Sequence, residues 1–188
     1  MTGVYTLGML TTVSAAERPD LLAPGVREAL LSLGLAELVG VVEIDPELSD
    51  TAATQEAYGL VTETLANCVI VTGRREGDER SAACLVPATT RADINGFVKR
   101  HLDVRKASFM PREVAVELTG MEFGGITPIG LPETWPVLVD ARVIRTPLVI
   151  VGSGIRRSKL IVPGELFASL PGVQVVEGLG RETPVDIQ

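Results

Sequence analysis

Apolar residues recur along the chain at two spacings, and the switches between them mark its elements. Ala29, Leu30, Leu33 and Leu38 fall on one side of a helix predicted over 26–39, which Gly34 weakens. Val41 to Ile44 reads as a short strand closed by Asp45-Pro46, and Ser49 or Asp50 can cap a helix that runs to Tyr58 and stops at Gly59. Residues 67–72 and 81–86 are apolar and β-branched, and the polar run Gly73 to Arg80 between them predicts a hairpin. Thr90, with Asp93 three residues on, predicts a capped helix as far as His101. Pro111 opens a helix over 112–118 that Gly120 stops. Strands are expected at 137–140, 148–151 and 158–162. Pro163 then opens a last helix over 164–170, and 173–176 can close the sheet. Strands and helices are interspersed without a regular βαβ rhythm, so the pattern predicts one α+β domain with a mixed sheet.

The length of 188 residues suits that single domain, and 46% hydrophobic content excludes global disorder. The apolar stretch Gly3 to Ala16 has no basic residue before it and contains several threonines, so it is a poor secretion signal, and no stretch approaches a membrane span. Two cysteines are too few for a disulfide scaffold and point to a reducing, cytoplasmic compartment. In the hairpin Cys68 and Cys84 fall nearly opposite each other, so a disulfide is sterically conceivable beside the expected pair of buried thiols.

The net charge of −7 argues against a general nucleic-acid binder, but its distribution is uneven. Residues 1–65 hold ten acids against Arg18 and Arg27, whereas 91–112 and 142–159 together hold 11 of the 17 basic residues. If folding brings those segments together they make one positive face; otherwise they are two solvated faces.

Most catalytic constellations are missing. The single histidine, His101, sits in a basic helix end where positive charge is favoured, and one His with two Cys sixteen apart supplies no metal site of familiar spacing. No cofactor or metal is expected. Gly152-Ser153-Gly154 follows an apolar strand but lacks the lysine and the third glycine of nucleotide loops, so it reads as a tight turn or as a backbone loop flanking a pocket. The densest signal is Gly125-Ile-Thr-Pro-Ile-Gly130. Its glycines admit close approach to the main chain and its proline restrains the backbone, which fits either a rigid turn or a loop that binds through backbone groups.

Residues 60–180 resemble the YbaK / prolyl-tRNA synthetase-associated editing domain family. The resemblance is carried, in order, by Asn67-Cys-Val-Ile-Val71, Leu85-Val-Pro87, the helix Ala92 to Arg100, Leu118 to Pro132 with its G-x-x-P-x-G run at Gly125 to Gly130, Pro136 to Asp140, and Val149 to Gly154. Residues 26–59 also resemble the family's N-terminal part, which divides the chain into an extension, 1–25, and the domain, 26–188. The resemblance implies a mixed, partly barrel-like sheet surrounded by helices. It also implies trans-editing: water hydrolyses the ester between a wrong amino acid and the terminal adenosine of tRNA, without metal or covalent nucleophile. The implied partner is the aminoacylated 3′ end of tRNA, with a synthetase as a second candidate; oligomeric state is left open.

On this resemblance Asn67 and Gly125 are the candidate catalytic residues. Thr127, Pro128, Gly130, Asp140, Gly152, Ser153 and Gly154 are candidates for the substrate pocket. The basic segments are expected to supply tRNA contacts, from Arg105 and Lys106 in one and Arg156, Arg157 and Lys159 in the other. One departure is marked: family deacylases carry a lysine where this chain has Asn67. Asparagine offers a neutral amide in place of a cation. Either Asn67 orients a water or a carbonyl, or a nearby arginine such as Arg156 or Arg157 replaces the charge, or the domain binds a tRNA end, a synthetase or a small ligand without cleaving.

Overall fold

The structure is a computed structural model that describes residues 3–182; residues 1–2 and 183–188 of the expected extension and domain lie outside them. Two sheets enclose the main core. One is five-stranded, ordered Val173–Val176, Val137–Asp140, Asp78–Pro87, Ala66–Arg75 and Ala107–Phe109, with its first two pairings parallel and its last two antiparallel. The other is four-stranded and antiparallel, ordered Val149–Gly152, Ser158–Val162, Gly40–Glu43 and Val13–Ser14. This is the mixed α+β architecture expected.

Period-two alternation assigns the faces. Ile70, Ala83, Leu85, Val137 and Val139 of the first sheet meet Val41, Val149, Val151, Leu160 and Val162 of the second in one cluster, plugged by Val26 and Leu30 of the helix Pro24–Ser32 and by Phe167. Their neighbours in sequence point outward. Val71, Ala82, Cys84 and Leu138 pack under residues 92–104, and Ile150 and Ile161 pack with Leu10, Ile44, Leu60 and Leu65. A parallel bridge between Leu65 and Ile150 closes the seam between the sheets, which makes the whole partly barrel-like.

Several elements differ from expectation for identifiable reasons. The first helix ends at Ser32 instead of continuing to 39, because Gly34 turns left-handed at φ 68°. The hairpin is longer than expected: the polar residues 73–80 are mostly strand, and Glu76 and Gly77, both at positive φ, make a two-residue turn. Thr90 is not a helix cap. Thr90–Ala92 pairs with Gly180–Glu182, and the Asp93 carboxylate caps the helical turn that follows by accepting from the N–H groups of Gly96 and Phe97. The segment over 164–170 is a 3-10 helix, Gly164–Ser169, and an unanticipated short helix, Ala141–Arg145, follows Asp140. The helices Thr51–Tyr58 and Arg112–Thr119 end at left-handed Gly59 and Gly120 as expected.

Val69 pairs with Cys84, so Cys68 stands one residue out of register and on the opposite face: Cys68 packs toward the central cluster and Cys84 into the outer one. The conceivable disulfide is therefore excluded, and both cysteines are free thiols. Burial pushes the Cys84 thiol up to about 12. From Gly3 onward the expected extension is woven into the domain, since Val13–Ser14 supplies an edge strand and Leu21 and Ala23 enter the core. Among the described residues no helix is long and apolar enough to cross a membrane.

Candidate active site

The seam between the sheets opens into a pocket of about 290 Å³. The Leu65–Ile150 bridge is parallel, so Asn67 stands beside Gly152 two residues further on, and Gly152 pairs with Lys159 on the next strand. Asn67, Cys68, Gly152 and Lys159 thus line one cavity, with Ser49, Asp50 and Thr51 on one side and Phe123, Gly124 and Ile126 over it.

Local capping explains how Ser49 and Thr51 arrive there. Asp45 accepts from the Glu47 N–H and starts the 3-10 turn Pro46–Leu48; Asp50 is then the N-cap residue of Thr51–Tyr58. Ser49 is held between these two turns. Its carbonyl accepts a hydrogen bond from Lys159 Nζ at 2.8 Å, while its hydroxyl, in a residue only 2% exposed, has no hydrogen-bond partner among the described residues. Thr51 Oγ1 donates to Asn67 Oδ1 at 2.8 Å, which leaves the two N–H groups of the Asn67 amide for a ligand.

Lys159 was expected on a tRNA-facing surface, but it is 9% exposed and lies inside the pocket. Burial pulls its ammonium from the ordinary 10.5 down to about 8; Asp50 opposes that shift and Arg156 adds to it. No carboxylate forms an ion pair with Lys159 among the described residues.

The two glycine loops meet behind the pocket. The Gly154 N–H donates to the Gly125 carbonyl at 2.7 Å, the Glu122 N–H donates to the Gly154 carbonyl at 2.8 Å, and the Gly125 N–H is taken by the Glu122 carbonyl. A Cβ on Gly125 would lie 2.8 Å from the Ile155 backbone, and one on Gly152 would run into the Gly125 carbonyl. Gly125 therefore fits two main chains together; on its loop Gly124, at φ 88°, reaches the pocket, which Gly152 lines from the other. The rest of the loop diverges. Thr127 is fully buried with an unpartnered hydroxyl, whereas Pro128 and Gly130 line a separate cavity of about 650 Å³ beside Trp135.

Asp140 and Ser153 lie outside the pocket lining. Asp140 is fully buried and grips the Arg142 guanidinium through both its oxygens at 2.9 Å, while also accepting from the N–H groups of Arg142 and Gly180. Burial pushes its carboxyl upward, but those hydrogen bonds outweigh burial and hold it below the usual carboxylate range. Ser153 shares a 2.7 Å hydrogen bond with the Ser158 hydroxyl, which in turn donates to the Leu21 carbonyl.

The basic segments do not merge into one free face. Arg142 and Arg145 pair with Asp140, Glu182 and Glu177, and Arg157 pairs with Asp20 and Glu43. Arg156 spans the rim, donating to the carbonyls of Pro46 and Phe123. Arg105 and Lys106 precede the strand that pairs with Gly73, and the residues from Asn67 to Gly73 span about 20 Å of strand. At the mouth Phe123 is half exposed, with the Arg112 guanidinium carbon 4.3 Å from its ring centroid. No group of three His, Cys, Asp or Glu side chains suited to a metal occurs among the described residues.

Ser49, Lys159 and Phe123 carry no motif that sequence spacing isolates. The one available signal for Lys159 is the apolar run Leu160 to Val162 that follows it, in a strand, Ser158–Val162, that the structure buries along its length.

The fold resembles solved structures over most of its length. One is a candidate trans-editing enzyme for prolyl tRNA synthetase, 24% identical, with a TM-score of 0.71, covering 86% of this chain and 99% of that one. Another is a scaffold protein carrying a computationally grafted epitope, 22% identical, with a TM-score of 0.70, covering 86% of this chain and 97% of that one. No curated protein matches at a significant level. The profile of the aminoacyl-tRNA editing domain matches residues 45–170, well over half of the chain and the stretch that builds the pocket from Ser49 to Lys159. The chain belongs to the aminoacyl-tRNA editing domain family.

Proposed function

We propose that the protein is an aminoacyl-tRNA deacylase acting in trans, and that the pocket between Asn67 and Lys159 holds the ester of a mischarged tRNA. The observation that carries this reading is the convergence, in an editing-domain chain, of unsatisfied or partly satisfied polar groups on one small cavity: the Ser49 hydroxyl, the Asn67 amide and the Lys159 ammonium. Ester hydrolysis by water needs a held carbonyl, a placed nucleophile and oriented dipoles, and it needs no Cys or His.

In this reading the aminoacyl group enters the cavity, the Asn67 N–H groups orient its carbonyl or the attacking water, and Thr51 fixes the amide by donating to its oxygen. The terminal adenosine lies at the mouth, where the half-exposed Phe123 ring, backed by Arg112, offers a stacking face. Arg156, which bridges the Pro46 and Phe123 carbonyls at the rim, is the cation assigned to the phosphate that follows. The solved relative's link to prolyl tRNA synthetase suggests where the mischarged tRNA comes from.

The test is deacylation of a panel of mischarged tRNAs by the purified protein. Release of an amino acid from any member of the panel faster than the uncatalysed rate supports the reading. Binding of tRNA without release on every member would make the domain a recognition module.

A further inference from the structure

We propose that Lys159 and the Ser49 hydroxyl together stabilise the negative charge that develops on the ester carbonyl oxygen. This rests on the reading of the pocket as a deacylase site and assigns it a cation that the first strand of the hairpin lacks.

The argument begins with cost. Burying an ammonium without a carboxylate partner is unfavourable, and proteins rarely do it without compensation. Lys159 is buried, and its hydrogen-bond acceptor among the described residues is a backbone carbonyl, that of Ser49. An ammonium has three donors, so this bond fixes its position and leaves others for a ligand. Beside it the Ser49 hydroxyl is buried and unpartnered, a second unmet group in the same wall. Gly124, whose φ of 88° favours glycine, carries its main chain past that hydroxyl: a Cβ there would sit 3.5 Å from it, in ordinary contact. The remaining N–H bonds of the Lys159 ammonium and the Ser49 hydroxyl, which has no partner among the described residues, belong to one cavity and describe a site for an oxygen that is negative for part of a reaction.

The chemistry then balances. The oxygen of water bonds to the acyl carbon, and the carbonyl π pair moves onto its oxygen, where Lys159 Nζ–H and Ser49 Oγ–H meet it. When that pair returns, the ester C–O bond breaks. One proton of the water goes to the departing ribose oxygen, and the other is released as the amino-acid carboxyl ionises. Lys159 acts in its charged form. The charged groups acting on it are Asp50 and Arg156, and the other titratable group lining the pocket is the Cys68 thiol, which burial keeps protonated.

The test compares wild type, Lys159→Met, Lys159→Arg and Ser49→Ala in deacylation of the mischarged-tRNA panel from pH 6 to 9.5, each rate divided by the uncatalysed rate at that pH. The expected result has three parts. Lys159→Met lowers kcat by about 100-fold and Ser49→Ala by about 10-fold, with KM little changed. The wild-type ratio falls as pH rises through about 8, where the buried ammonium deprotonates. Lys159→Arg keeps part of the rate and loses that fall, since guanidinium stays charged. If Lys159→Met is too poorly folded to assay, Ser49→Ala, which removes an oxygen without a partner, carries the kcat test by itself. An active wild type with Lys159→Met and Ser49→Ala both within about threefold of it overturns the proposal and spares the deacylase reading. A rise in KM alone also overturns it, because the lysine then holds a phosphate. A wild type inactive on every tRNA overturns the reading beneath it.

Discussion

Thr51 Oγ1 lies 2.8 Å from Asn67 Oδ1 and joins the first turn of a helix to the first strand of the hairpin. The bond decides which end of the amide faces the pocket: the oxygen is occupied, so the N–H groups are presented. Asn67→Ala is expected to reduce deacylation about tenfold, the worth of one well-placed neutral hydrogen bond at a transition state. Asn67→Lys is expected to lose activity too. A lysine cannot accept from Thr51, and it would add a second ammonium to a cavity that already holds Lys159. Single-turnover rates for the two variants check both expectations; a gain from Asn67→Lys would show that the pocket lacks a cation.

Lys159 makes a stability prediction that needs no substrate. Its folded value, about 8, is lower than its ordinary 10.5, so between those two pH values the unfolded chain binds more protons than the folded one. Stability should therefore rise as pH increases from about 8 to 10.5. Lys159→Met should remove that rise and stabilise the fold at pH 7 by about 1–3 kcal/mol, less whatever the Ser49 carbonyl loses. Urea titrations of both proteins across that range would show it.

Gly125→Ala tests the loop. The new methyl would meet the Ile155 backbone, which cannot rotate away as a side chain can. A destabilisation of about 1–3 kcal/mol is expected, a fall of several degrees in Tm, with activity lost through displacement of Gly124 and Ile126. Calorimetry beside the deacylation assay distinguishes this from a purely chemical defect, in which Tm would stay unchanged.

Asp140→Asn should weaken the fold without entering the chemistry. It leaves Arg142 facing a neutral partner and loosens the bond to Gly180 that ties down the Gly180–Glu182 strand. The expected loss is about 3 kcal/mol. The carboxyl is held below its usual range, so its contribution is present above that range and is lost as pH falls through the folded value. An acid-unfolding midpoint that does not move in Asp140→Asn would contradict this.

Phe123→Ala should raise KM severalfold and leave kcat largely intact, since a stacking face at the mouth binds the ground state and the transition state alike. The same substitution should leave Tm nearly unchanged, because the ring is half exposed.

Much of the fold was legible because it rests on periodicity and on strong stop signals. Gly59 and Gly120 end their helices as read, and the strands over 137–140 and 148–151 announce themselves by apolar runs bounded by turn residues. Where reading failed, long-range pairing had overridden local propensity. Thr90 looks like a cap until Gly180–Glu182 pairs with it, and Asp93 then inherits the role. The site was half legible. Asn67 was found from strand position and resemblance, but Lys159 lay hidden in a group of basic residues whose members meet different fates. Arg157 finds carboxylates, Arg156 finds carbonyls at the rim, and Lys159 turns inward. Linear charge density does not encode that division: Arg156 and Arg157 lie in the turn before the strand, whereas Lys159 lies inside a strand buried along its length.

The bridge between Leu65 and Ile150 has a consequence for how this pocket can evolve. Its jaws stand on different sheets, and both bridging residues are aliphatic, belong to the cluster packed outside the central core, and line the pocket themselves. Trading one methylene at either position changes the gap between the jaws without touching Ser49, Asn67 or Lys159. On the deacylase reading, the choice of amino acid is thus separable from the cutting of its ester, and a descendant could acquire a new target through an inconspicuous Leu-to-Val or Ile-to-Val exchange.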